Sequence, residues 1–500
     1  MNESTAQTEN GALTLSTSGD PCVDFFALEG ALRGAEASRV LELFAAAYAS
    51  DAELALRLLF YGRDRLEGLG ERSTFRNALV WLAENHPLTA AANLEYIPEF
   101  GRFDDWLCLL DTPLRPQVLQ LIAAQLKRDE SALQEGKKVS LLGKWLPSIN
   151  ASCGHTVDYA YMIADSLNMK ASQYRRLLSK LRRAIDIVET HLCQKKYDFS
   201  YSEVPSLAFN RYFRTFIERD SERFNAFLDD VRAGKAKVNT AVLLPCDITY
   251  QISQLPVWMK DGDLMVSNRD RIAEVKEQIK ALDTLWQNLP QCPCIGNSLV
   301  VADVSASMMS GCTQIRPLDV SVSLGIYFAE HNTGVWHNRF MTFSAEPEWA
   351  EVRGEHIVEK YWRCATAAWG NNTDIKKVFE LVLQTALDND VAPSDLVNCI
   401  YIISDMEFDD CTQNASVTNF EYAKALYERH GYKLPNLVFW NVNSKSRNLP
   451  VRHNESGVAL VSGYTPKIFS NIFDVADQTP ADIMRATAAQ ERYNCLRIVD

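Results

Sequence analysis

A carboxylate and two hydroxyls follow one apolar stretch of the chain at alternate positions. The stretch SLVVA, residues 298–302, is short, apolar and β-branched, which is typical of a buried strand in a parallel sheet. Asp303, Ser305 and Ser307 come directly after it. Ligands of open α/β sheets bind beyond the carboxyl ends of the strands, so this spacing predicts a binding loop.

Two other segments carry oxygen donors that would complete such a loop. Thr373, in WGNNTDI, stands at the amino end of a predicted helix, and Asp405, in IYIISD, ends a second apolar strand. Hydroxyl and carboxylate oxygens suit Mg²⁺, Mn²⁺ or Ca²⁺, and we expect Mg²⁺. Because several of these donors are neutral, the ion would keep residual positive charge. It could then accept a carboxylate from a partner protein.

Each of these segments also has an ordinary structural explanation. Ser and Asp are common turn residues, and Thr373 could support a helix start together with Asp374. A bound ion could also be a purely structural element. A strand end, a helix start and a second strand end, in this order along the chain, favour a metal site that binds a partner.

We do not expect catalysis. The sequence contains no Gly-x-Ser-x-Gly elbow, Walker A loop or His-Glu-x-x-His helix. A phosphatase with an aspartate nucleophile would usually carry a second carboxylate where Ser305 stands. A serine nucleophile would need a positioned base, and the sequence does not show which histidine approaches it.

Composition predicts a soluble, cytoplasmic protein with reduced cysteines. The twelve cysteines are scattered and lack the spacing of a disulfide framework. No apolar run is long enough to cross a membrane, and the first residues do not form a signal peptide. The net charge of −13 argues against bulk nucleic-acid binding, although it leaves room for one local basic surface.

Hydrophobic periodicity divides the chain into three parts and predicts an α plus α/β fold. Residues 1–19 are polar and small and are expected to form a flexible tail. Residues 20–290 read as consecutive amphipathic helices with short breaks, which predicts a HEAT-like α-solenoid. Residues 295–500 alternate apolar strands with helices, which predicts a Rossmann-like domain with a mostly parallel sheet.

One segment of the helical part is a candidate nucleic-acid surface. In KASQYRRLLSKLRRAIDIVE, residues 170–189, an apolar stripe lies opposite a basic exterior at helical spacing. Arginine forms bidentate contacts with phosphate, and nearby tyrosines can stack on unpaired bases. Such a face can equally be solvated or paired with acidic neighbours such as ERDSE. The candidate RNA-binding residues are Lys170, Arg175, Arg176, Lys180, Arg182, Arg183, Arg211 and Arg214.

The pattern Asp-x-Ser-x-Ser, a distant Thr and a later strand-end Asp resembles the metal-ion-dependent adhesion site of von Willebrand factor A domains. The resemblance covers the chain from about residue 295 onward. It implies that Ser305, Ser307 and Thr373 are direct hydroxyl ligands. It also implies that Asp303 and Asp405 act directly or through water, and that an open coordination position faces the partner.

A helical part followed by VADVSASM resembles the Ro autoantigen group of TROVE-module proteins. IPEFGRFDDWLCLL, residues 97–110, carries a Phe-Gly-Arg and acidic-aromatic turn similar to one in that module. LGKWLPS, YRRLLSKLRRAIDIVE, VPSLAFNRYF, FWNVN and LVSGY are similar to an uncharacterised sister family. The Ro resemblance implies helical repeats closed into a ring by the A domain. Such rings bind misfolded RNA ends in the channel and small structured RNAs on the outer surface.

These patterns predict two alternative functions. The first is a non-catalytic, Ro-like protein that binds small structured or misfolded RNA and recruits a protein partner through a divalent ion. The alternative is a metal-dependent protein-interaction scaffold without RNA. Recovery of RNA with the purified protein would discriminate between them.

Overall fold

The computed structural model describes most of the chain, and its contacts divide it into two compact units. A helical unit comprises residues 37–200 and 489–500, and a sheet unit comprises residues 1–36 and 201–488. Elements are numbered along the chain, and the first helix, α1 (Pro21–Leu28), belongs to the sheet unit. The described residues are 5–8, 13–290, 298–309, 314–343, 347–365, 375–407, 419–444, 447–465, 468 and 478–500.

The helical unit consists of amphipathic helices whose apolar faces form its core. In α3, for example, the Asp51 side chain caps the first turn by accepting the Leu54 amide at 3.0 Å, and Leu59 and Phe60 are buried. Its helices are α2 (Ala37–Ser50), α3 (Ala52–Arg63), α4 (Ser73–Asn85), α5 (Pro87–Ala92), α6 (Ile97–Phe100), α7 (Arg115–Gln134), α8 (Leu142–Trp145), α9 (Gly154–Ser166), α10 (Ala171–Ile185) and α11 (Val188–Gln194).

Residues 489–500 are part of the helical unit through specific bonds to its early helices. The Arg497 amide donates to Asn93 Oδ1 at 2.9 Å. The Asp500 carboxylate accepts the Thr89 amide at 2.8 Å. The helical unit is therefore assembled from two segments that are far apart in the sequence.

The sheet unit combines further helices with all the described strands. Its remaining helices are α12 (Ser206–Arg219), α13 (Ser221–Arg232), α14 (Pro245–Ser253), α15 (Ile272–Gln287), α16 (Pro317–His331), α17 (Ile357–Ala365), α18 (Ile375–Asp388), α19 (Asn419–Arg429) and α20 (Pro480–Ala488). Its strands are β1 (Thr5–Gln7), β2 (Leu13–Leu15), β3 (Val257–Lys260), β4 (Asp263–Val266), β5 (Ser298–Asp303), β6 (Arg339–Phe343), β7 (Glu348–Glu351), β8 (Cys399–Ser404), β9 (Asn436–Asn441) and β10 (Val458–Ser462).

Six strands form the central sheet, in the order β10-β9-β8-β5-β6-β7. Every neighbouring pair is parallel except β6 and β7, which are antiparallel. Every residue of β5 and β8 is buried, as expected for strands covered on both faces. A helical front part followed by a mostly parallel sheet confirms the predicted α plus α/β fold.

Two short paired segments differ from the sequence prediction. The hairpin β3–β4 interrupts the part that was expected to be helical, and its turn, Asp261-Gly262, has positive φ at both residues (52° and 89°). Within the expected tail, β1 pairs with β2, and Leu15 forms a bridge with Leu449. The described part of residues 1–19 is therefore paired with the sheet unit, because its alternating leucines fit a strand.

The helix that precedes the predicted domain boundary, α15, belongs to the sheet unit. Residues 201–290, expected to belong to the helical part, lie in the sheet unit, where α14 packs on α16 and α15 packs on α17. The boundary predicted between residues 290 and 295 stays a prediction. Among the described helices, none is both long and apolar enough to cross a membrane.

Candidate metal centre and basic surface

The predicted metal ligands converge where the strand order of the sheet reverses. From β5 the chain adds β6 and β7 on one side and later places β8 on the other side of β5. Asp303 ends β5 and Asp405 follows β8, so both carboxylates leave adjacent parallel strands at the same edge. This reversal point is where doubly wound sheets bind ligands.

Short contacts connect the donor groups of this edge. Asp303 Oδ1 accepts the Ser305 amide at 2.9 Å, and Asp303 Oδ2 accepts the Ser404 hydroxyl at 2.5 Å. The hydroxyl oxygens of Ser305 and Ser307 are 2.9 Å apart. Four oxygen-bearing side chains are thus gathered around the end of β5.

The two carboxylates of the edge repel one another. Asp303 is 1% exposed and Asp405 is 2% exposed. Burial, and next the negative charge of Asp405, raise the pKa of Asp303 above its usual range. A divalent cation bound beside the two groups would relieve this repulsion and favour the ionised form.

The donor set fits a hard cation only if the hydroxyls take part. In the described part of the chain, no group of three or more His, Cys, Asp or Glu side chains could hold a metal ion. Two aspartates with Ser305 and Ser307 supply oxygens of the kind that Mg²⁺ and Mn²⁺ accept.

The structure brings together four of the five predicted metal ligands. Asp303, Ser305, Ser307 and Asp405 lie at one edge of the sheet. Thr373 lies outside the described residues. Sequence reasoning missed Ser404, which binds Asp303 directly, although its place next to Asp405 at the same strand end was a usable signal.

A cleft of about 720 Å³ opens beside the same loop. Val304 and Met309 from the loop form part of its wall, and Arg316, Tyr361 and Trp362 face it from the neighbouring helices. Arg316 binds Asp319 through two nitrogens at 2.8 and 2.9 Å, which fixes this wall. The cleft therefore lies next to the edge, but Asp303, Ser305, Ser307 and Asp405 are not among the residues that line it.

The basic exterior of α10 is present and exposed. Arg175, Arg176, Lys180 and Arg183 are all exposed on the helix, and we call these four residues the basic face. Within the described residues, their side chains form no hydrogen bond or ion pair. The buried side of the helix carries Tyr174, Leu177, Leu178 and Leu181. Lys170, just before the helix, is also exposed.

Arg182 is a structural residue and not part of the basic face. Its guanidinium donates to the carbonyls of Gly143 and Leu146 at 2.9 and 2.8 Å, and to Ser148 Oγ at 2.8 Å. Burial lowers its pKa. These bonds hold the 143–148 segment against α10, so few of its donors are left for phosphate.

Arg211 and Arg214 lie on α12, in the sheet unit, whereas the basic face lies in the helical unit. Arg211 is exposed. Arg214 lines a cleft of about 730 Å³ together with Arg271 and Glu274, and it donates to the Gln251 carbonyl at 3.1 Å. The structure therefore assigns the predicted RNA residues to two different units.

Two family models match the chain. The domain of unknown function DUF2828 matches residues 8–110 and 113–291, and the domain of unknown function DUF7788 matches residues 297–494. An uncharacterized protein of Acanthamoeba polyphaga mimivirus is 27% identical over 518 residues, which cover 95% of this chain and 86% of that protein. The crystal structure of the Deinococcus radiodurans Ro (RSR) protein aligns with a TM-score of 0.37 at 14% identity, over 93% of each chain. Because the DUF2828 model matches more than half of the chain, the chain belongs to the DUF2828 family.

Proposed function

We propose that the protein is a non-catalytic RNA-binding protein that holds RNA phosphates on the basic face of α10. The observation that supports this proposal is the exposure of the basic face, Arg175, Arg176, Lys180 and Arg183. All four are exposed, and none is neutralised by a described side chain. The acidic segment that was the obvious alternative partner binds its own neighbours, since Arg219 pairs with Glu218 and Arg223 with Asp220.

The position of the basic face on a well-anchored helix favours binding of a phosphate backbone. A helix anchored by buried side chains presents its cations at fixed spacing, so less conformational entropy is lost when they bind. The net charge of −13 on the whole chain would repel RNA from most other surfaces. RNA binding would therefore be local and strongly dependent on salt.

The first test is RNA recovery and its salt dependence. We expect the full chain, purified at low salt, to retain RNA that ribonuclease removes. For four phosphate contacts with a single strand, the logarithm of the binding constant should fall against the logarithm of salt concentration with a slope of about −3. Absence of RNA binding at low salt, or binding that is insensitive to salt, would contradict the proposal.

A second candidate function is metal-dependent capture of a protein carboxylate at the edge of the sheet. The specific observation in its favour is the buried pair Asp303 and Asp405, surrounded by serine hydroxyls and next to an open cleft. We propose a site of the von Willebrand factor A type, with Mg²⁺ as its ion. Asp303, Ser305, Ser307, Thr373 and Asp405 would hold the ion, which would supply positive charge to a partner's carboxylate.

Metal binding is tested with Mn²⁺ as the probe. We expect Asp303→Asn to weaken Mn²⁺ binding by more than about 100-fold, because even residues that only support a ligand contribute 10- to 100-fold. Binding is measured from the electron paramagnetic resonance signal of free Mn²⁺. Without metal the variant should be at least as stable as the wild type, since it removes one of two repelling buried charges. Equal Mn²⁺ affinity in both proteins would exclude this site.

A further inference from the structure

A buried ion-pair network lies under the turn after α6, in a part of the chain that neither proposed site uses. Arg63 Nε and Asp105 Oδ2 are 2.8 Å apart, and both side chains are almost fully buried. Arg76 binds Asp105 through Nε and Asp104 through a terminal nitrogen, both at 2.7 Å. A Cβ on Gly101 would lie 2.3 Å from the Asp105 carboxylate, so only glycine fits there. This network therefore holds the turn after α6 in one conformation.

Three further arginines lie around this ion-pair network. The Arg65 amide donates to the Phe100 carbonyl at 3.0 Å, which brings the end of α3 to the turn. The Arg102 amide donates to Asp105 at 2.9 Å, and its guanidinium lies over the Trp145 ring at 4.7 Å. Arg72 precedes Arg76 by one helical turn. We call Arg65, Arg72 and Arg102 the arginine cluster.

No described carboxylate is bonded to the arginine cluster, although Asp64, Asp104 and Asp105 offset part of its positive charge. Its three guanidinium groups form no hydrogen bond or ion pair within the part of the chain that the structure describes. The neighbouring carboxylates are already bound, Asp104 and Asp105 as above and Asp64 by Arg492 at 2.7 Å. The guanidinium donors of the cluster are therefore not used by these carboxylates, and Arg65 and Arg72 are exposed.

The electrostatics of the arginine cluster agree with this geometry. Burial, and then the charge of Arg63, lower the pKa of Arg65. Burial is also the main reason that the pKa of Arg102 is lowered. The charge of Asp104 opposes this shift, and the charges of Arg63, Arg65 and Arg72 add to it. An anion bound to the cluster would remove this repulsion.

We propose that the arginine cluster is a binding site for a phosphate group. Planar guanidinium groups match phosphate oxygens in paired hydrogen bonds, and a phosphate carries enough charge to neutralise more than one of them. Stacking on Trp145 holds the Arg102 side chain in place before the ligand arrives, which reduces the entropy lost on binding.

The phosphate has two possible sources. Trp145 belongs to α8, and Arg182 ties the segment 143–148 to α10, so the arginine cluster and the basic face are joined through α8 in one unit. An RNA strand held on the basic face could present the phosphate, and this source rests on the proposed function. A free phosphate or phosphomonoester is the other source and does not depend on RNA binding.

The test uses inorganic phosphate as the probe and the full chain as the sample. Thermal unfolding is followed in phosphate and in chloride at equal ionic strength. We expect phosphate at ten times its dissociation constant to raise the Tm of the wild type by about 1–3 °C. The variant with Arg65→Gln, Arg72→Gln and Arg102→Gln should lose this rise. Its Tm in chloride should fall only slightly, because the three groups form no hydrogen bond or ion pair within the described chain and only the stacking of Arg102 on Trp145 is lost.

A matched control removes the same charge elsewhere in the helical unit. Lys127→Gln, Arg128→Gln and Lys138→Gln change three exposed cations and should keep the phosphate effect. If phosphate stabilises the cluster variant as much as this control, or does not stabilise the wild type at all, the site is excluded.

RNA binding by the same two variants distinguishes the sources. Weaker binding by the cluster variant than by the control would identify RNA as the source of the phosphate. Unchanged RNA binding, together with the loss of the phosphate effect, would identify a free phosphate compound. A wild type that is stabilised by phosphate but binds no RNA would keep this site and remove the proposed function.

Discussion

Charge reversal of the basic face, by Arg175→Glu, Arg176→Glu, Lys180→Glu and Arg183→Glu, is expected to lower RNA affinity more than about 100-fold at 0.1 M salt. The variant loses four phosphate contacts and places four negative charges where the RNA backbone would lie. Because the four side chains bond to no described residue, the fold should be unaffected. Affinity is measured by fluorescence anisotropy of a labelled RNA over a range of salt concentrations.

The control for this variant reverses four exposed cations elsewhere in the helical unit, Lys127, Arg128, Lys137 and Lys138. It changes the net charge equally, so it isolates the effect of position. Arg182 is kept in both proteins, since its three bonds to the 143–148 segment would be lost with it. Equal RNA affinity of the two variants would show that α10 is not the RNA surface.

Asp105→Ala is expected to lower the free energy of unfolding of the helical unit by about 3–5 kcal/mol. The Arg63 guanidinium, 2% exposed, would keep its charge without the carboxylate that now binds it. The amide of Arg102 would also lose its acceptor. Denaturant unfolding followed by the helical circular dichroism signal measures the loss.

Asp104→Ala is the matched control for this change. Asp104 is more exposed than Asp105 and binds Arg76, which is itself partly exposed and keeps its second contact to Asp105. We expect a loss of about 1 kcal/mol or less. If the two variants lost similar amounts of unfolding free energy, burial of the Arg63–Asp105 pair would not explain its contribution to stability.

The central sheet could be predicted because its strands are buried on both faces. The stretches that become β5 and β8 are continuous apolar runs, and such runs can be recognised without knowing their neighbours. The short strand β7 and the hairpin β3–β4 are only half-buried, so their patterns are weak. For the hairpin, Asp261-Gly262 was the available signal.

The convergence of the two aspartates at one edge of the sheet could be predicted from spacing alone, since parallel strands end at the same side of a sheet. Asp303 and Asp405 were found in this way. Ser404 was not, because its bond to Asp303 depends on how β8 is registered against β5. Whether Thr373 completes the set is outside the described residues.

In α10, helical periodicity alone does not predict which arginines are exposed and which are bound to the rest of the unit. Arg182 and Arg183 are adjacent and chemically identical, yet the first binds the 143–148 segment and the second is exposed. The acceptors that decide between them lie more than 30 residues earlier in the chain. The arginine cluster was missed for the same reason, since Arg65, Arg72 and Arg102 come from separate segments.

The division of the helical unit between residues 37–200 and 489–500 determines when it can be completed on the ribosome. At about 5–20 residues per second, translation from residue 200 to residue 489 takes roughly 15–60 s. During that time the nascent helices lack the bonds that Arg497 and Asp500 give to Asn93 and Thr89. The helical unit is therefore completed only after residues 201–488 of the sheet unit have been translated.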